Sequence, residues 1–144
     1  MDEKKRIVLI EDNEADVFLI ERALAATHCA LETRRFRDGA EALPVLLASQ
    51  ETTLPDAILL DLNMPRSDGM DILRQIRSSP RLAGIPVGIL TGSVASSDRQ
   101  RALTNGASRY IHKAASYDAF VSNVSEAVLA MLGEQQNLRL IVRE

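Results

Sequence analysis

A chain of 144 residues that is 46% apolar is sized for one domain with a core that needs no covalent staples. A net charge of -3 and a pI near 5.4 leave no basic surface for nucleic acid, so direct binding to DNA or RNA is not expected. The lone cysteine, Cys29, cannot form an internal disulfide, and the apolar run Ile7 to Ile10 is too short for a leader or a membrane span, so a cytoplasmic location is expected.

In chain order, strand-length apolar runs alternate with stretches of helical period. A first strand over Ile7 to Ile10 ends at Glu11 and Asp12, and a helix comes next over Ala15 to Ala26. A second strand over Leu31 to Phe36 reaches the turn pair Asp38-Gly39, which opens a helix over Gly39 to Ala48. Ala57 to Leu60 is an apolar run that stops at Asp61 and is broken by Pro65. It reads as a buried strand that delivers a carboxylate to the end of a sheet. A helix over Met70 to Ser78 leads to a fourth strand, Val87 to Leu90, followed by Thr91. Gly106 stops the next helix, Asp98 to Asn105, and the fifth strand, Arg109 to His112, is followed by Lys113. In the last helix, Tyr117 to Leu132, the residues Phe120, Val121, Val124, Val128, Met131 and Leu132 share one side, and Gly133 is placed to end it.

Repeated βα units of this number make an open, doubly wound sheet with helices on both faces, since an eight-unit barrel needs ~250 residues. Ligands of such sheets lie beyond the carboxyl ends of the strands, so Glu11, Asp12, Asp61, Thr91 and Lys113 are expected to converge on one edge. Crowded carboxylates repel, and a hard cation such as Mg²⁺ relieves them. Thr91 and Lys113 add donors suited to a phosphoryl group. Taken singly, these residues are ordinary: Asp61 a helix cap, Glu11 and Asp12 solvated turn acids, Thr91 a capping hydroxyl, Lys113 a surface lysine. His112 is expected to be structural, His28 a cation or solvated residue near a helix end, and Cys29 a packed thiol.

The sequence resembles the receiver domain of two-component response regulators, of the chemotaxis-regulator type. The markers are Ile7-Val8-Leu9-Ile10-Glu11-Asp12-Asn13, Asp38-Gly39-Ala40-Glu41-Ala42-Leu43, Ile58 to Pro65 with Asp68-Gly69, Leu90-Thr91-Gly92, and Gly106-Ala107 leading to Tyr110-Ile111-His112-Lys113. The Glu-Asp-Asn-Glu-Ala-Asp opening and the Asp-Leu-Asn-Met-Pro loop are most similar to stand-alone regulators served by phytochrome-type histidine kinases. The resemblance implies a flavodoxin-like five-stranded parallel sheet in the order 2-1-3-4-5 and a Mg²⁺-dependent phosphoryl transfer from a partner histidine kinase to Asp61. It implies that Asp12, Asp61 and the backbone carbonyl of Asn63 ligate the metal, with Glu11 holding a metal-bound water. Lys113 is implied as partner of Asp61 and then of the phosphoryl oxygen, and Thr91 and Tyr110 as the switch. The implied protein turns over no substrate, apart from transfer to itself and slow autodephosphorylation, and signals through protein contacts because no output domain is present.

The family's pattern has proline after the lysine, commonly in a cis peptide, where this chain has Ala114. A non-proline cis bond costs ~2.5–4 kcal/mol, so the expectation is either a trans loop with Lys113 displaced or stored strain. Two other readings remain at this stage: a phosphorylation-independent interaction module on the same fold, and an aspartyl-nucleophile phosphatase. The second typically carries another acid two residues after the nucleophile, where this chain has Asn63. The receiver is expected over 1–133. The extension 134–144, with Leu138, Leu140 and Val142 in alternation, reads either as a tail or as a strand that pairs with a second subunit in a homodimer.

Overall fold

Alternation along the central strands decides the layers. The computed structural model describes residues 4–65, 67–114 and 116–143, the side chains at 67 and 134–143 apart. The main sheet holds β1 (Lys5–Ile10), β2 (Leu31–Phe36), β3 (Ala57–Asp61), β4 (Val87–Thr91) and β5 (Arg109–His112), all parallel, in the order β2-β1-β3-β4-β5. The helices are α1 (Glu14–Ala26), α2 (Gly39–Ala48), α3 (Gly69–Ser78), α4 (Ser96–Thr104) and α5 (Tyr117–Arg143). This is the expected doubly wound sheet and order. β3, buried along its whole length, is central because its run is continuously apolar, while β2, with Glu32, Thr33 and Arg34 exposed, lies at an edge.

On β1, Ile7 and Leu9 pack with Val17, Ile20, Phe120 and Val124 of α1 and α5, whereas Val8 and Ile10 pack with Leu46, Leu73 and Ile76 of α2 and α3. β3 divides the same way, Leu59 going to the α1/α5 core and Ile58 and Leu60 to the other. Burying each such side chain contributes ~1.5–3 kcal/mol. A one-residue slip in any of these strands would exchange its two faces.

Three helix starts are fixed by side-chain caps: Asn13 accepts from the Asp16 amide, Asp38 from Glu41 and Asp68 from Met70. Between β3 and α3, Asn63–Met64 and Ser67–Asp68 form a short antiparallel pair. Gly69 then runs so close to β3 that an added Cβ would meet Leu62 Cα at 2.8 Å and the Asp61 carbonyl oxygen at 3.0 Å. Asp68-Gly69 thus sets the end of β3 against the start of α3.

Two expectations need correction, the end of α5 and the packing of Cys29, and two open ones are decided. Gly133 does not end α5, which continues to Arg143, so residues 134–143 are helical backbone and the expected terminal strand is not formed there. Glycine weakens a helix interior by only ~1 kcal/mol relative to alanine, too little to stop a helix already packed on the sheet. Cys29 is exposed rather than packed. His28 is exposed just past α1 with a left-handed backbone, φ 57, in keeping with a solvated residue near the helix end. No cis peptide occurs among the described residues, so the Lys113–Ala114 bond is trans.

Gly106 does stop α4 as expected, at φ 101, with its carbonyl accepting from Arg77 Nε at 2.8 Å and a would-be Cβ 2.8 Å from Arg77 Cγ. Gly106→Ala is expected to lower stability by roughly 1–2 kcal/mol through left-handed strain. The measurement is a lower urea midpoint at unchanged slope.

Candidate functional site

The strand order reverses between β1 and β3, and their carboxyl ends deliver the acids. Ile10 pairs with Leu60 in register, so Glu11 and Asp61, one residue further on each chain, fall side by side. Both continue the alternation that faces α1 and α5. Glu11 is 0% and Asp61 2% exposed, while Asp12 lies outward and exposed. Oxygens of Glu11, Asp12 and Asp61 all lie within 4.8 Å of one another.

The cation among them is Lys113, whose backbone amide is tied to the Thr91 carbonyl at 2.7 Å. Its ammonium lies 3.2 Å from Asp61 Oδ1, 3.2 Å from Glu11 Oε2 and 2.8 Å from Asp16 Oδ2. The expected displacement of Lys113 therefore does not occur: the trans loop still lets the long side chain reach the pocket. Burial alone would lower its pKa, but the hydrogen bond to Asp16 and the charges of Glu11 and Asp61 outweigh it and raise the value. For Glu11, burial first and the neighbouring Asp61 charge second push the pKa up to about 8, against the pull of Lys113. Glu11 Oε2 is a buried oxygen without a hydrogen-bond partner among the described residues. An all-oxygen donor set with surplus negative charge and an unsatisfied oxygen fits a hard divalent cation.

Thr91, 0% exposed, continues the opposite alternation, toward α3 and α4. Its Oγ1 accepts from Asn63 Nδ2 at 3.1 Å and from the Ser93 amide at 3.1 Å. The Ser93 carbonyl in turn accepts from the Tyr110 hydroxyl at 3.1 Å, and Tyr110 packs on the α2/α3 core. Thr91 and Tyr110 are thus joined through one residue. The His112 ring lies 3.3 Å from the Gly92 carbonyl, and the His112 carbonyl accepts from Asn123 Nδ2 at 3.3 Å.

All seven expected site residues meet at this edge. Three contributors were missed. Asp16, in the first turn of α1, binds Lys113. The Asn63 side chain, rather than only its backbone, reaches Thr91. Arg35 of β2 donates to the Glu11 carbonyl at 2.9 Å, the Asp12 carbonyl at 3.3 Å and Glu14 Oε1 at 2.8 Å, clasping the acidic loop from the neighbouring strand. The hydrogen bond from Arg35 is the main cause of a lowered Glu14 pKa. The one available signal for Arg35 was an arginine near the end of an edge strand beside two acids.

The model of the response regulator receiver domain matches residues 7–125. The Probable methanogenesis regulatory protein FilR2 of Methanothrix harundinacea is 37% identical over 129 residues, 88% of this chain and 83% of its own length. Among solved structures, the phosphorylated cyanobacterial phytochrome response regulator RcpA is 38% identical, covering 86% of this chain and 91% of its own, with a TM-score of 0.78. The Mn²⁺-bound form of response regulator Rcp1, a Synechocystis protein, is 32% identical over 85% of this chain and 90% of its own, with a TM-score of 0.76.

A carboxyl held up to about 8 in the fold against 4.5 unfolded contributes stability that is complete below pH 4.5 and lost as pH rises through 8. Lys113 titrates above its ordinary 10.5 and so adds no slope there. In buffer stripped of divalent ions, Glu11→Gln is expected to reduce the fall in urea midpoint over this interval and to give the more stable protein at pH 8. A variant with the wild-type slope would exclude Glu11 as its source.

Proposed function

The chain belongs to the response regulator receiver family, and on that premise we propose that it is a phosphoacceptor switch, phosphorylated on Asp61 by a histidine kinase. The observation that carries this is the buried Asp61 carboxylate beside the Lys113 ammonium, 3.2 Å away. Receiver domains are signalling domains rather than turnover enzymes. The likeness to a phosphorylated phytochrome response regulator supports a phytochrome-type kinase, and that to a Mn²⁺-bound response regulator supports a divalent cofactor, Mg²⁺ by availability. No helix among the described residues is long and apolar enough to cross a membrane, and a cytoplasmic location accords with such a kinase partner.

In the transfer, an Asp61 carboxylate oxygen bonds to phosphorus while the P–N bond to the donor histidine breaks, its electron pair leaving with the imidazole. Lys113 exchanges its Asp61 contact for a phosphoryl oxygen, neither giving nor taking a proton. A divalent cation held by Asp12, Asp61 and the Asn63 backbone carbonyl, and through water by Glu11, would supply neutralisation of the crowded negative charge. The Thr91 hydroxyl donates to the new phosphoryl group. Reorienting it changes the acceptor offered to the Ser93 amide, and with it the carbonyl that holds the Tyr110 hydroxyl. The face of α4, β5 and α5 then carries the signal to a protein target.

Incubation with acetyl phosphate and Mg²⁺ is expected to add one phosphoryl mass that is labile to hydroxylamine and absent from Asp61→Asn. Omitting Mg²⁺ or substituting Lys113→Met should each slow the reaction at least about ten-fold. Absence of any adduct would favour the phosphorylation-independent module, and sustained phosphate release a phosphatase.

The same reading includes a second copy of the chain as partner through the extension 134–144, whose residues up to Arg143 continue α5. Ending the chain after Gly133 is expected to shift the sedimentation profile from dimer to monomer at micromolar concentration. An unchanged profile would remove the extension from the interface.

A further inference from the structure

Lys113 must hold its ammonium beside Asp61 with little help from its own loop. Its backbone amide is tied to the Thr91 carbonyl at the strand end, and the next residue is Ala114, whose amide turns back to the His112 carbonyl at 3.0 Å. Beyond the strand nothing rigid in the sequence continues, and a lysine stem is flexible.

Of the three carboxylates around the ammonium, only Asp16 has both the shortest distance, 2.8 Å, and hydrogen-bond alignment. The contacts to Glu11 and Asp61 are ion pairs at 3.2 Å. Asp16 is itself held firmly. Its amide donates to Asn13 Oδ1 at 3.0 Å, the Asn13 amide donates to Glu11 Oε1 at 3.2 Å, and a first-turn acid is favoured by the helix dipole. It stands outside the Glu11, Asp12 and Asp61 group that could hold a cation, so occupancy of that group leaves it free to keep Lys113. The side of the sheet also fits: Glu11, Asp61 and Lys113 continue the alternation that faces α1, the helix carrying Asp16.

We propose that Asp16 is a positioning residue for phosphoryl transfer: it tethers the Lys113 ammonium from α1, so that Lys113 can leave Asp61 for the phosphoryl oxygen without leaving the pocket. The proposal rests on the phosphoacceptor reading of Asp61. An ammonium has three donors, so one can stay on Asp16 while another passes from the carboxylate to the phosphoryl group. Asp16 touches neither donor nor acceptor and acts through Lys113 alone.

The test uses the full chain as wild type, Asp16→Asn, Asp16→Ala and Asp16→Glu. Nitrogen-detected NMR of the Lys113 ammonium in metal-free protein reads the tether directly, phosphoramidate with saturating Mg²⁺ reads transfer, and titration reads Mg²⁺ affinity. Asp16→Asn and Asp16→Ala are expected to speed solvent exchange of the ammonium, and to slow phosphorylation, each about ten-fold, with Mg²⁺ affinity within about two-fold of wild type. Asp16→Glu is expected to recover part of both. Unchanged exchange and rate in the asparagine and alanine variants overturn the proposal. A parallel loss of Mg²⁺ affinity also overturns it by assigning Asp16 to the metal site. A wild-type chain that takes no phosphoryl group overturns the acceptor reading, and this proposal with it; a phosphorylated wild type with equally fast variants overturns this proposal alone.

Discussion

One ammonium among three carboxylates is the interaction on which this molecule turns. The Lys113 ammonium lies within 4 Å of the carboxylates of Glu11, Asp16 and Asp61. Removing charge from water costs several kcal/mol per ion even after relaxation, and one lysine cannot neutralise three acids. Burial first, and the neighbouring Asp61 charge second, push the Glu11 pKa up to about 8. An arrangement of this kind is poor as a structural device and well suited to a site that takes up a cation and a phosphoryl group.

The apolar strands make that concentration of charge tolerable. β1, β3 and β4 are buried on both faces and anchor their own ends, so the acids, Thr91 and the base of Lys113 cannot retreat to solvent without breaking the packing behind them. Two clasps refine the placement. Arg35 holds the backbone of Glu11 and Asp12 from β2, and Gly69 lets α3 approach the backbone of Asp61 and Leu62. Neither contacts the reacting atoms, yet each limits where those atoms can lie.

Strand alternation also separates the two tasks of the site. Glu11, Asp61 and Lys113 continue the face toward α1 and α5, where charge is gathered. Thr91 and Tyr110 lie on the side of α3 and α4, where a change of hydroxyl partner can be passed on through Ser93. The Asn63 amide, at 3.1 Å from Thr91 Oγ1, joins the two sides at the mouth of the pocket. The acid face is therefore joined by a short run of hydrogen bonds, through Asn63, Thr91 and Ser93, to Tyr110 on the other side.

Strand-length apolar runs, the glycine after α4, and the positions of Glu11, Asp12, Asp61, Thr91 and Lys113 were legible in the sequence because each rests on local chemistry: buried runs have one period, turns need particular residues, and doubly wound sheets gather the residues just past their strand ends. Asp16 and Arg35 were not legible as site residues, since an acid in the first turn of a helix and an arginine on an edge strand are ordinary in isolation. Their roles arise from distances to Lys113 and to the Glu11 loop, set by how α1 and β2 flank β1. The path of the chain after Gly133 was misjudged for a related reason, a local stop signal being too weak to end a helix already under way. Sequence alone thus determined the sheet, its order by resemblance and the place of Asp61 at the end of β3. Only tertiary structure decided that Lys113 reaches the pocket from a trans loop, because a carboxylate on another element holds it there.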